Sequence, residues 1–360
     1  MREGINPDRF FRTMSSLDTY VNICLGLKSR SKTLSGFDYN PHLIYAAVAN
    51  TYVETLGNKA DSLHLAIKKR DISDIYLEYL ETVRLLGKRV GLDEKDVVLA
   101  FDYTDEEYYG KLSGLWMHTW TGEKAVTGKF KFLTCAIVCT TAPLRVPILS
   151  MPVPMGHNKG DVVLRFMELV KPLVRSVELI LFDRGFYDKD LIIKLTDGEL
   201  PYLIFVPKND RVKRELDEIR DGEKKTIRYE FKLNKDKTTK NGHTTMAFLK
   251  QIYDGRTNKN YDWAFATNMG AIDLNEIIRT YKKRWRIETM FRVQDEARIR
   301  TKSRDIKIRY FYFAYSQVLQ LIWSMIYKDD MGFKEFQIIL NEVAKERWEN
   351  TVKKNRRGPV

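Results

Sequence analysis

Val97-Val98-Leu99-Ala100-Phe101-Asp102 is an apolar run closed by an acid, and Leu179-Ile180-Leu181-Phe182-Asp183 repeats the pattern. Short uninterrupted apolar runs read as strands buried on both faces. In an open α/β sheet, functional groups collect at the carboxyl ends of the strands. Two such acids on neighbouring strands share one crevice, where their mutual repulsion calls for a cation. All-oxygen ligands of this kind favour Mg²⁺ or Mn²⁺. Asp105 competes for the first position, but Asp102 directly ends the apolar run and is preferred.

Working outward, 130–140, 144–151, 202–206 and 263–267 read as further strands, and 161–173 and 188–195 as helices. Strand and helix in alternation indicate an α/β core. Asp188 and Asp190 suit the first turn of a helix better than a metal site. Residues 208–262 are rich in Lys, Arg, Asp, Asn and Gly, with strand-like stretches at 226–233 and 245–252, and read as a small basic β-rich insertion. A long helix is expected over about 273–295, and an uncharged helix over 310–327.

The long helix carries the third carboxylate, Glu288, although a lone Glu ringed by Arg is more commonly a salt-bridged surface residue. Tyr281, Arg284 and Glu288 are spaced to share one helical face, with Arg292 one turn further on. Arg284 and Arg292 can clamp phosphates, Tyr281 can stack or hydrogen-bond, and Lys283 and Arg298 extend this basic set. Asp102, Asp183 and Glu288 together can hold two metal ions and leave positions open for DNA oxygens. Two ions suit in-line phosphodiester cleavage, because one activates the attacking oxygen and the other stabilises the leaving one. The five histidines form no evident cluster, and His157 reads as a loop residue first and as a helper near the site second. Cys24, Cys135 and Cys139 lack zinc-finger spacing and read as core thiols in a reducing compartment. Trp116 and Trp120 flank His118, and core packing and base stacking suit them equally.

Residues 1–95 read as helical. Expected helices are 41–56 capped by Asn40, one starting at Asp61 or Ser62, and one capped by Ser73. With Lys68-Lys69-Arg70 they fit a helix-turn-helix DNA reader or a plain bundle with a basic edge. The chain has 61 Lys and Arg against 48 Asp and Glu, a net charge of +13 over 360 residues. A basic balance points to a polyanionic partner, double-stranded DNA above all. Residues 1–12 carry no signal-peptide core, and 310–327 has too many Ser, Gln and Tyr for a lipid-facing span. A cytoplasmic, nucleoid-associated protein with no membrane partner is expected. The domains are read as 1–95, a core over 96–207 and 263–345 interrupted by the insertion 208–262, and a basic tail 346–360.

At this point the residues resemble the IS4-type family of DDE transposases. Phe101-Asp102-Tyr103-Thr104-Asp105 with Tyr108-Tyr109-Gly110 is similar to its first catalytic block, and Phe182-Asp183-Arg184-Gly185-Phe186-Tyr187 to its second. Tyr281, Arg284 and Glu288 match its Tyr-(2)-Arg-(3)-Glu signature, and Arg300-Thr301-Lys302-Ser303 with 308–313 its later segment. The resemblance implies an RNase H-like mixed sheet with flanking helices, two divalent metals and a β-rich insertion. It further implies an N-terminal all-α domain that binds terminal repeats, strand transfer into target DNA, and a homodimer on paired ends. One position departs: the signature Lys seven residues after Glu288 is Asp295 here. A nuclease that never joins strands, and a domesticated DNA-binding regulator, are the competing readings.

Overall fold

Strand β1 (Asp96–Tyr108) is the axis of the molecule. The computed structural model describes residues 7–27, 35–56, 59–112, 114–119, 122, 125–140, 144–235, 238–270 and 272–356. One edge of β1 pairs antiparallel with β3 (Gly128–Thr140) and the other pairs parallel with β5 (Ser176–Phe182). From β5 the sheet runs through parallel β6 (Tyr202–Phe205), then antiparallel β9 (Lys259–Thr267), β8 (Thr238–Asp254) and β7 (Lys224–Lys235). Beyond β3, β2 (Met117–Thr119) and β4 (Val146–Val153) complete a mixed sheet of nine strands among the described residues. Among the described residues β4 pairs with β3 alone, so Pro147 and Pro152 interrupt no ladder on its outer side there.

Successive side chains on a strand point to opposite faces. On β1, Val97, Leu99 and Phe101 join one apolar layer, and Val98 and Ala100 the other. The first layer is closed by α5 (Lys159–Val170), α6 (Lys189–Asp197) and α10 (Ile306–Ile322). The second is closed by α8 (Ile277–Lys282) and α9 (Trp285–Asp295), through Ile277, Tyr281, Ile287 and Met290. Asp102 follows Ala100 in parity, and Asp183 follows Leu181, so both acids belong to the face that α8 and α9 cover.

The N-terminal part is helical as expected: α1 (Pro7–Leu25), α2 (Gly36–Ala49), α3 (Lys59–Lys68) and α4 (Ile72–Arg89). Its starts differ from expectation. α2 begins before Pro41 because the Ser35 N–H donates to Asp38 Oδ2 at 2.9 Å, one half of a capping box. Asn40, expected as the cap, is buried; it donates to Asp18 Oδ1 and accepts from the Tyr315 hydroxyl. Asp71, not Ser73, caps α4, and its N–H donates to Asp74 Oδ2. These helices are not packed as a separate domain. Their apolar residues are continuous with the first layer, and the Tyr79 hydroxyl donates to Pro147 O of β4.

Three further expectations are revised. The strands expected in a separate insertion, β7 and β8, are outer strands of the main sheet, preceded by a short helix α7 (Asp210–Asp217) that the Asn209 side chain caps. The helix expected over 273–295 is two helices. Lys283, Arg284, Arg286 and Ile287 donate to the carbonyls three residues earlier, a tighter turn that breaks the α-helical frame. The tail expected over 346–360 belongs to α11 (Phe333–Arg356) up to Arg356. The uncharged helix is α10, every residue of which from Ile308 to Ile322 is buried, followed by a π-turn at Trp323–Tyr327. No helix among the described residues is long and apolar enough to cross a membrane. Cys24 and Cys135 are buried and Cys139 half-buried, all as free thiols. Trp116 packs partly buried against the core, and Trp120 lies outside the described residues.

Candidate active site

Phe101 and Phe182 are the last residues paired between the parallel strands β1 and β5, and Asp102 and Asp183 come next. The two strands then part. β1 runs on to Tyr108 against β3, so Asp102 ends the parallel pairing rather than the strand. β5 stops, and Asp183 caps the tight turn Arg184–Phe186. Its Oδ1 accepts the Gly185 N–H at 3.0 Å. A Cβ on Gly185 would lie 3.1 Å from that oxygen, so the Asp-Arg-Gly sequence makes a backbone crease that seats the carboxylate.

The third acid arrives from the other side of the crevice. Glu288 stands in the first turn of α9, and its side chain is 47% exposed. Arg284, in the tight turn between α8 and α9, joins it to Asp102. Nη1 donates to Asp102 Oδ2 at 2.8 Å and Nη2 to Glu288 Oε1 at 2.6 Å. Asp102 Oδ1 accepts the Tyr103 N–H at 2.9 Å. Burial pushes the Asp102 carboxyl up to about 6; Arg284 opposes that shift, and Asp183 adds to it by like-charge repulsion. Burial works against the charge on Arg284, but Tyr281, Asp102 and Glu288 hold its pKa above the ordinary value.

The donor set here suits a divalent metal ion. All three groups are carboxylates, the hard oxygen ligands that Mg²⁺ and Mn²⁺ prefer. The Gly185 crease fixes one of them and the buried strand end another. Among the described residues no three His, Cys, Asp or Glu side chains stand close enough together to enclose a metal, and the cation between Asp102 and Glu288 is Arg284.

The expected DNA-binding residues divide by exposure. Arg292 is exposed one turn beyond Glu288, and Lys283 is half-buried. Arg298 lines a cleft with Arg300, Lys302, Tyr52 and Tyr109 beside the far end of β1. Lys68 and Lys69 are exposed at the end of α3, whereas Arg70 folds back onto Cys24 O and Asp74. Tyr281 does not offer a face for stacking. It is 3% exposed, with its ring against Phe205, Trp263 and Phe265, and burial pushes its hydroxyl up to about 12. Asp295 is exposed at the end of α9.

Two contacts go beyond what the sequence specifies. The four-residue spacing of Arg284 and Glu288 allows their ion pair, but nothing in it points to the second bond, from Arg284 to Asp102. The other contact is that of His157. His157 Nε2 lies 2.7 Å from the Tyr103 hydroxyl and Nδ1 3.0 Å from Pro154 O. The carbonyl can only accept, so Nδ1 carries the proton and Tyr103 donates to Nε2. Tyr103 stacks on Phe186, three residues past Asp183. No pattern in the sequence links residues 54 positions apart.

Against known proteins, residues 93–306 match the family described as a transposase DDE domain. That span begins just before β1 and ends at the start of α10, and it contains all three acids. No curated protein matches the chain. Among solved structures, the chain resembles the cryo-EM structure of a piggyBac transposase synaptic complex with hairpin DNA. The TM-score is 0.58 at 12% identity, over 98% of this chain and 82% of that one. Identity this low speaks for the fold alone; the family match over most of the chain speaks for the activity. The chain belongs to the transposase DDE-domain family, and it is a DNA transposase, an enzyme of DNA cleavage and strand transfer.

Proposed function

We propose that Asp102, Asp183 and Glu288 are the catalytic carboxylates and that they hold two Mg²⁺ or Mn²⁺ ions. The register of β1 against β5 carries the reading. It sets two acids side by side on the face from which α9 presents the third. Divalent ions held there would activate a water or 3′-hydroxyl and stabilise the leaving oxygen of the phosphodiester. The chain's own part is orientation. The Gly185 N–H holds Asp183, and the Tyr103 N–H holds Asp102, so two ligands are set before substrate arrives.

The exposed Arg292, with Lys283 and Arg298, supplies positive charge for the phosphates of the strand being cut. Lys68 and Lys69 with α3 and α4 contribute to binding the terminal repeats. The sheet and its helices are RNase H-like, the chain is of the IS4 type, and it acts as a homodimer on paired ends in the cytoplasm. The likeness to a transposase–DNA synaptic complex supports the DNA partner.

The test is a cleavage and strand-joining assay on DNA carrying the element ends, with Mg²⁺, with Mn²⁺ and with neither. The native chain is expected to cut and join only with metal. Asp183→Asn and Glu288→Gln are expected to abolish both steps and keep DNA binding. Unchanged activity in either variant would move the site elsewhere, and cutting without joining would make the chain a nuclease.

A further inference from the structure

A guanidinium and a divalent ion drawn to the same pair of carboxylates repel each other and compete for the same negative charge. Arg284 Nη1 and Nη2 bond Asp102 Oδ2 and Glu288 Oε1, so one side chain ties the first acid to the third across 186 positions of sequence (288 less 102). Its side chain is 8% exposed, which leaves no free face for a phosphate. Both bonds are of the charge-assisted kind. The seat is nonetheless incomplete: Arg284 Nε is buried and has no hydrogen-bond partner among the described residues. An unmet buried donor is a standing penalty that full release of the side chain would lift. The backbone at Arg284 lies in the tight turn that separates α8 from α9, a joint between two short helices.

We infer that Arg284 is a stand-in cation, neutralising Asp102 and Glu288 while the site holds no metal and yielding their oxygens when a divalent ion enters. The inference rests on the reading of the three carboxylates as the metal site. Three acids brought to one crevice without a cation repel one another. A resident guanidinium lets the chain keep them assembled before metal arrives. The consequence is competition: the ion enters against the charge of Arg284 and binds more weakly than the carboxylates alone would allow.

Mn²⁺ binding to the full chain without DNA, read from the loss of the free-ion EPR signal, tests this. Arg284→Gln is expected to bind Mn²⁺ about tenfold more tightly than the native chain, the scale of one charge-assisted bond lost to competition. Its metal-free melting temperature is expected to fall and to recover with Mn²⁺. Arg284→Lys keeps one charge but cannot fork to two carboxylates, so it is expected between the two. If Arg284→Gln does not fold without metal, Arg284→Lys decides alone by the same criterion. Equal or weaker Mn²⁺ affinity in the deciding variant overturns the stand-in role. Asp183→Asn is the separate control: native Mn²⁺ binding that it leaves unchanged overturns the carboxylate reading itself.

Discussion

At the scale of single residues, the site is made by small constraints on large charges. Gly185 is the clearest. The Asp183 carboxylate lies over its N–H, and an added methyl would meet Oδ1 at 3.1 Å, tighter than ordinary contact. Gly185→Ala is therefore expected to lower cleavage at least about tenfold, because small misplacements of reacting groups are amplified in rate. The melting temperature is expected to move little, since Gly185 is exposed. A variant with full activity would remove the crease from the argument. Tyr281 makes the opposite case. Its place in the family signature invites a DNA role, but its ring lies among Phe205, Trp263 and Phe265. Tyr281→Ala is expected to cost about 3–5 kcal/mol in urea unfolding, as for other buried aromatic rings, and Tyr281→Phe far less. A stable Tyr281→Ala chain that loses only DNA affinity would restore the stacking role.

At the scale of elements, parity and register do the positioning. Residues two apart on a strand share a face, so the small Ala100 and the aliphatic Leu181 announce where Asp102 and Asp183 point. The tight turn between α8 and α9 then sets Arg284 against both Asp102 and Glu288. α4 carries a different electrostatic signature. Burial, reinforced by Glu81, pushes the Glu78 carboxyl from its ordinary 4.5 up to about 7. The folded chain thus binds this proton more tightly than the unfolded chain. Its contribution is fully present below about pH 4.5 and is lost as pH rises towards 7. Glu78→Gln is expected to raise the melting temperature at pH 8 and leave it unchanged at pH 4. Calorimetry at the two pH values checks this, and an equal shift at both would mean that titration is not the cause.

At the scale of the molecule, the catalytic sheet and the N-terminal helices share one apolar layer. α10 lies between them. Its Phe313 stacks on Phe132 of β3 with ring centroids 4.3 Å apart, its Gln317 donates to Ser150 of β4, and its Tyr315 donates to Asn40 of α2. A chain beginning at residue 90 would expose that whole side of α10. It is expected to lose cooperative thermal unfolding by circular dichroism rather than leave a folded catalytic core. A cooperative transition in such a fragment would show that the two parts are separable after all.

What the sequence determined by itself is what depends on neighbours along the chain. Apolar runs closed by acids marked β1 and β5, the Asp188 cap marked α6, and the uncharged run marked α10 as buried. The three acids proposed for the site stood out for the same reason, each sitting at a local boundary or a helical spacing. What only the tertiary structure decided depends on contacts between distant segments. The pairing of β8 with β9, and of β9 with β6, absorbs the expected insertion into the main sheet. The layer shared with α10 absorbs the expected N-terminal domain. The bond from Arg284 to Asp102 turns an expected phosphate clamp inward. Local pattern encodes which residues can form an element, whereas which surfaces meet depends on burial summed over the whole chain.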